Sequence, residues 1–471
     1  MNQGVNLTYQ VEDKPKFPQI LVFALQQLLA IMAATIAVPG IINGNFREMY
    51  GFEILTPMTP AAALFGAGVG TLVYLLFTKF KSPVFLGSSF AFLGSMTAAF
   101  GGAVSMSAGY LGLIIGAALA GLVYVIIALI VKFVGTKWIA KIMPAVVIGP
   151  TVAIIGLSLS GNAIGDLFQG SAKVAGVVVA SPYVALICGL VTLAVTIICS
   201  VYGKKMLKMI PFVIGILAGY ALALVFTLIG KWTGVDELRV IELSKLKPAN
   251  WAWYPDFTFL TAFSGNYDFG SFGSFGAFLG TIAVAYVPVA FVVFAEHIAD
   301  HKNLSSIIGK DLLEKPGLHR TLLGDGIGSM AGAFFGGCPN TTYGESIGCV
   351  AISGNASVLT ILYTACMAIV ISFIGPFSAF LASIPSCVMG GVCVALYGFI
   401  AVSGLKMIQG VDLSDNRNLF VVSVILIAGV GGMTVSFGSV QITKVACALI
   451  LGILTNLICS KAKKNEEKAD K

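Results

Sequence analysis

The sequence predicts an all-α polytopic membrane protein with about fourteen transmembrane segments in two inverted seven-span repeats. Composition is the first observation behind this. Of 471 residues, 57% are hydrophobic and 10% charged, with a mean hydropathy of +0.95, whereas soluble domains carry about 45 to 50% apolar and about 25% charged residues. At roughly 20 residues per spanning helix, fourteen helices would use about 280 residues, close to the apolar content. The second observation is a set of apolar runs, and the third is the alternation of cations between the connections that separate them. A soluble enzyme, a disulfide scaffold and a nucleic-acid binder are excluded at this stage. The nine cysteines lie in or beside apolar runs without CxxC spacing or histidine partners. They read as small buried hydrophobes, and no metal is expected.

The runs begin near Ile20, Pro60, Pro83, Ala108, Trp138, Val184, Met209, Ser274, Thr321, Thr341, Val358, Pro385, Asn418 and Val440. Residues 1–17 are polar and lack the layout of a cleaved signal peptide, so the first run is expected to be a retained span. Lys14 and Lys16, Lys79 and Lys81, Lys132 to Lys141, and Lys204 to Lys208 occupy alternate connections. Those near Arg47, Ala103 and Lys173 are poor in cations. The positive-inside rule then places both termini in the cytoplasm, including the Lys-rich tail at 461–471.

A polar connection at 231–273, with Trp251, Trp253 and Tyr254 as interfacial aromatics, separates seven spans at 18–230 from seven at 274–460. Seven is odd, so the second half enters from the opposite side, which is the arithmetic of an inverted repeat. The third run of each half carries a matching interruption. Pro83 opens a segment through Gly87, Ser88, Ser89 and Phe90, and Pro339 opens one through Thr341, Thr342, Tyr343 and Gly344. Spans 3 and 10 are therefore expected to break into a short strand plus a half-helix. Irregular backbone at membrane depth is tolerated only where protein or a wet cavity satisfies it, so this pair points to a transporter's central site.

Charges within apolar runs are few. None occurs between Asp268 and Glu296, and Glu345 alone interrupts the 80 residues between Asp325 and Lys406. A carboxylate at depth costs about 2.5 to 3.5 kcal/mol on insertion scales and marks a bundle interior or water-filled path. Glu296 is expected to end its helix, and Asp300, at i+4, shares its face, a natural proton-carrying pair. Glu345 is expected in the first turn of a half-helix, where unpaired N–H groups favour an anion.

At these residues the chain resembles the nucleobase and ascorbate transporter family (nucleobase:cation symporter-2) over nearly its full length. The resemblance rests on Leu25, Gln26, Gln27 and Leu28 with Ala34, Thr35 and Pro39; on Leu86 to Phe92; and on Met143, Pro144, Gly149 and Pro150. It continues through Ala295, Glu296, His297 and Ile298; Pro316 to Arg320; Pro339 to Glu345; Val388 to Gly391; and Tyr397 with Gly398. The resemblance implies interleaved core and gate domains, gate-paired homodimers, and proton-coupled import of a nucleobase across the cell membrane by alternating access. It implies that Glu296 and Glu345 accept hydrogen bonds from a pyrimidine while the backbone at Phe90 and Gly344 meets its carbonyl oxygens. The rings of Phe90 and Tyr343 would enclose it, and Ala34 and Ser89 are further pocket candidates. Protons, carried through Glu296, Asp300 and Tyr397, would be the coupling ion, with no other cofactor and no catalytic residue. Two departures are Gln27 and Asp300, each standing where the family often has histidine.

The resemblance implies that glutamate at 345, where the family's purine carriers tend to have glutamine, favours a pyrimidine; uracil is the expected substrate, with a purine or xanthine carrier as the alternative. An anion exchanger of the same architecture is disfavoured by two acidic groups in the pocket. An intramembrane enzyme would need a nucleophile and base, and no histidine lies near either interrupted segment in sequence. The expected partners are the small nucleobase and the lipid bilayer.

Overall fold

The computed structural model describes residues 7–50, 57–174, 177–204, 206–437 and 440–469. Lys205, the connection at 51–56, and the outer ends of the two terminal segments fall outside them. The first half contains α1 (Phe17–Tyr50), α2 (Pro60–Phe77), β1 (Leu86–Ser88), α3 (Leu93–Ala99), α4 (Met106–Val134), α5 (Ala145–Ser158), α6 (Ser160–Leu167), α7 (Pro182–Tyr202) and α8 (Pro211–Thr233). The second contains α9 (Phe275–Ile308), α10 (Leu318–Gly336), β2 (Asn340–Thr342), α11 (Gly344–Ser353), α12 (Val358–Ile371), α13 (Gly375–Ser383), α14 (Ser386–Ile408), α15 (Asn416–Val430), β3 (Val435–Phe437), β4 (Val440–Ile442) and α16 (Lys444–Ala469).

Every expected run coincides with one or more of these elements. Among the described residues eight helical segments are long and apolar enough to cross a bilayer, or nine when α12 and α13, bent by 87°, count as one span. The other runs depart for readable reasons. Helix α10 carries Arg320, Asp325 and several glycines, α15 and α16 offer shorter apolar stretches, and two runs are the interrupted segments. Helix starts follow local chemistry: Thr59 Oγ1 accepts from the Ala62 N–H at 3.3 Å ahead of Pro60, and Ser274 Oγ accepts from the Ala277 N–H at 3.3 Å to start α9.

The interrupted segments fold as expected. Strand β1 pairs antiparallel with β2 in the register Leu86 with Thr342, Gly87 with Thr341 and Ser88 with Asn340. Each strand leads into its own half-helix, α3 or α11. All six strand residues are buried, so their backbone must be satisfied internally. The Ser89 N–H donates to Pro339 O at 2.9 Å and the Tyr343 N–H to Phe85 O at 3.2 Å, extending the ladder at both ends. On the outer edge the Leu86 N–H donates to Thr71 Oγ1 at 2.9 Å, and the Phe85 N–H donates to Ser346 Oγ at 3.1 Å.

Helices α2 and α10 flank this crossing and touch through glycine. A Cβ at Gly66 would lie 2.5 Å from Gly332 O, and one at Gly336 would lie 2.4 Å from Ala62 O. Small residues let helix backbones meet where lipid supplies no hydrophobic drive between helices. Asn340 uses the approach, donating from Nδ2 to Gly66 O at 3.0 Å. Gly66→Ala should therefore lower stability by about 1 to 3 kcal/mol through overpacking against rigid backbone. Thermal unfolding in detergent should show the drop, with Gly40→Ala, which has open space at its Cβ, keeping the parental midpoint.

Candidate functional site

The site grows from the strand crossing. Because β1 and β2 are antiparallel and each runs into a helix, two helix N-termini open at the crossing, each with N–H groups lacking intrahelical partners. Glu345 stands in the first turn of α11, as expected, beside Gly344, whose Cα faces open space. Gly87 is needed by packing. The Tyr343 ring lies against it, so that a Cβ there would come within 2.3 Å of the ring, and Tyr343 Oη donates to Ser88 O at 2.8 Å. Ser89 and Ala34 are buried, and Ser89 Oγ has no hydrogen-bond partner among the described residues. Ser88 Oγ, one residue earlier, is likewise without a partner among them.

Helix α9 packs on both β2 and α11. The sequence suggested that Glu296 ends this helix; instead α9 continues for three more turns to Ile308, and Glu296 sits inside it. The polar run His297 to Lys302 is helical and largely buried because its polar groups find partners. Thr342 Oγ1, on β2, donates to Asp300 Oδ2 at 2.6 Å. Glu296, Asp300, Asp325 and Glu345 thus lie within electrostatic reach of one another. Phe90, Tyr343, Gly344, Glu345, Glu296 and Asp300 come together around the crossing. Tyr397, on α14, meets them from the other side, its ring edge-on to Phe90 with centroids 5.4 Å apart. Its polar neighbours are Cys393 and Asp166, not Asp300.

Sequence reasoning missed a buried network on the adjacent face of α9. His297 Nδ1 lies 2.7 Å from Asp325 Oδ2, and Nε2 lies 2.9 Å from Thr321 Oγ1, tying α9 to α10. His301 Nδ1 donates to His297 O at 2.8 Å, while Nε2 lies 2.7 Å from Tyr74 Oη of α2. Tyr74 Oη is also 2.7 Å from Ser82 Oγ, next to the start of the first interrupted segment. The fold thus brings histidine close to a segment that has none nearby in sequence. The available signal was Asp325 between two glycines in an apolar run, together with His297 and His301 at i, i+4. At the opposite side Gln27 Nε2 donates to Ser346 O at 3.1 Å and to Ser346 Oγ, anchoring the first turn of α11 to α1.

A cleft of about 840 Å³ opens beside these residues but is not lined by Phe90, Glu296, Tyr343 or Glu345. Ala37 and Cys393 lie on its wall, one turn along their helices from Ala34 and Tyr397. Cys393 thus puts the cleft within a turn of α14 from Tyr397, whose ring meets Phe90.

Residues 18–437 match the family model described as Permease family (Xan_ur_permease). The chain belongs to this family. Similar curated relatives include the uracil permease of Bacillus caldolyticus, 40% identical over 95% of this chain and 94% of that one. The uracil permease of Bacillus subtilis (strain 168) is 39% identical over 98% and 96% of the two chains, and that of Escherichia coli (strain K12) is 34% identical over 95% and 93%. Among solved structures, the transmembrane domain of the cyanobacterial bicarbonate transporter BicA aligns with a TM-score of 0.59 at 16% identity, covering 96% of this chain and 99% of that one. The murine anion transporter Slc26a9 in its inward-facing state aligns with a TM-score of 0.58 at 13% identity, covering 96% of this chain and 70% of that one. At that identity the structural likeness speaks for the fold alone. This permease is a multi-pass membrane protein with a transporter fold, and its named relatives are permeases, not enzymes.

Breaking the His297–Asp325 pair from either side leaves a buried polar group unpaired. His297→Ala and Asp325→Ala should each cost about 1 to 3 kcal/mol, and the double variant should cost clearly less than their sum. A double-mutant cycle of thermal unfolding midpoints tests this, with full additivity as the contrary result.

Proposed function

We propose that this permease imports uracil together with protons by alternating access. The observation that carries the reading is the convergence of Glu296 and Asp300 with Gly344 and Glu345 around a strand crossing that also holds the Ser89 hydroxyl and the Phe90 ring. Uracil is a flat neutral ring with two N–H donors and two carbonyl acceptors. Carboxylates at Glu296 and Glu345 suit the donors, and helix N-terminal N–H groups at Gly344 and near Phe90 suit the acceptors. Apolar and aromatic walls with a few placed polar groups are the usual construction of such a pocket. Relatives named uracil permease, aligned nearly end to end, support the same substrate. An anion would meet repulsion from the acidic cluster.

Proton coupling falls to Glu296 and Asp300, neighbouring carboxylates on one face of α9, with Tyr397 joined to the site through Phe90. The cleft, which reaches Ala37 and Cys393 within a helical turn of Ala34 and Tyr397, fits a route from one side of the membrane in an alternating-access cycle. The cation pattern favours cytoplasmic termini in the cell membrane, and the antiparallel crossing of matched interrupted spans favours inverted repeats at 18–230 and 274–460, with core and gate domains interleaved and gate domains paired in a homodimer.

Purified protein should gain stability with uracil, by about 2.7 kcal/mol at a hundredfold excess over Kd, and not with xanthine or sulfate. Glu345→Gln should abolish that gain, and a thermal shift retained in the variant would remove Glu345 from the site. Glu296→Gln should leave uracil uptake by proteoliposomes indifferent to an imposed proton gradient; uptake that still follows the gradient would exclude it as the proton carrier.

A further inference from the structure

The half-helix α11 bears Gly344 and Glu345 at one end, and its other end is gripped by the chain's N-terminal segment. α11 stops at Gly354, which has a φ of +65°, and the residues after it run extended. Against them lies the stretch Leu7 to Asp13. The Thr8 and Tyr9 N–H groups both donate to Gly354 O, at 2.7 and 3.1 Å. In return, the Ala356 N–H donates to Tyr9 O at 2.9 Å and the Val358 N–H to Val11 O at 3.0 Å, with Tyr9 and Asn355 paired as a parallel bridge. Ser357 Oγ donates to Asp13 O at 2.6 Å. Val11 is 3% exposed although Glu12 and Asp13 beside it are exposed, so one apolar side chain plugs the strap into the core. Tyr9 Oη donates to Gln19 Oε1 at 3.0 Å, and the Tyr9 ring stands edge-on to Phe23, fixing the strap to the start of α1.

The same part of the chain holds the front of α11, through Gln27 and Ser346. A ten-residue helix is about 15 Å long, so a grip at both ends determines where its first turn points. We infer that Leu7 to Asp13, with Val11 as its anchor, is a positioning element that braces α11 from behind and thereby sets Glu345 and Gly344 for the ligand. A chain end merely tidied onto the surface would need neither the reciprocal ladder nor a buried anchor, and its loss would not be felt a helix length away. The ligand arm of this inference rests on the uracil reading above; the structural arm does not.

The test uses the full chain in detergent or nanodiscs, comparing the parent with Val11→Asp, Val11→Ile and Glu345→Gln by hydrogen–deuterium exchange and uracil binding. In Val11→Asp, faster exchange should spread from 354–358 through α11 to its first turn. Uracil affinity should fall about tenfold, the scale of one or two lost hydrogen bonds, while Val11→Ile keeps parental values. Should Val11→Asp not fold, deletion of residues 1–13 provides the same comparison, with the ligand-free melting curve as the check on folding. Faster exchange confined to 354–358 with unchanged affinity would overturn the brace. Uracil binding untouched by Glu345→Gln would remove Glu345 from the site, and no uracil binding by the parent would sink the substrate reading; in either case the spread of exchange would still decide the brace.

Discussion

Six buried strand residues at membrane depth cannot leave their peptide groups unpaired, and the rest of this structure depends on how that demand is met. In hydrocarbon, each unsatisfied N–H or C=O costs several kcal/mol, so two interrupted helices survive only by pairing with each other. The pairing then has a second effect. It fixes two helix N-termini at one place, and with them the open Cα of Gly344 and the carboxylate of Glu345. Thr71 and Ser346 satisfy the edges of the crossing, which explains why hydroxyl side chains recur in otherwise apolar helices.

Around that crossing the molecule is built for close approach on one side and for charge on the other. Glycine contacts bring α2 and α10 to backbone distance, leaving room for Asn340 to bond across. α9 lies over the strands with two adjacent faces in different roles. One turns Glu296 and Asp300 toward β2 and α11, and the other sends His297 and His301 to α10 and α2. The histidine face locks the rotation of the helix, so the carboxylate face has a defined direction.

Much of this was legible in the sequence because it follows from composition and periodicity. The apolar runs, the paired interruptions at Pro83 and Pro339, and the isolation of Glu345 all require only counting. The failures share a cause. Glu296 was read as a helix end because the charged run after it resembles an interfacial terminus; in fact His297, Asp300 and His301 have buried partners in Asp325, Thr342 and Tyr74, which no local pattern reveals. Helix α10 looks too polar to span, since its glycines and Asp325 serve contacts with other helices instead of lipid. The strap at Leu7 to Asp13 joins residues more than 300 positions apart through backbone groups, and backbone bonds leave little trace in side-chain identity.

The proposed mechanism rests on a single physical idea, that the strand crossing holds a small neutral ring between acids and helix N-termini. A structure of the full chain determined with uracil bound addresses this most directly. The ring should lie between Phe90 and Gly344, within hydrogen-bond distance of the Glu296 and Glu345 carboxylates. Uracil found only in the 840 Å³ cleft, which neither glutamate lines, would contradict the account.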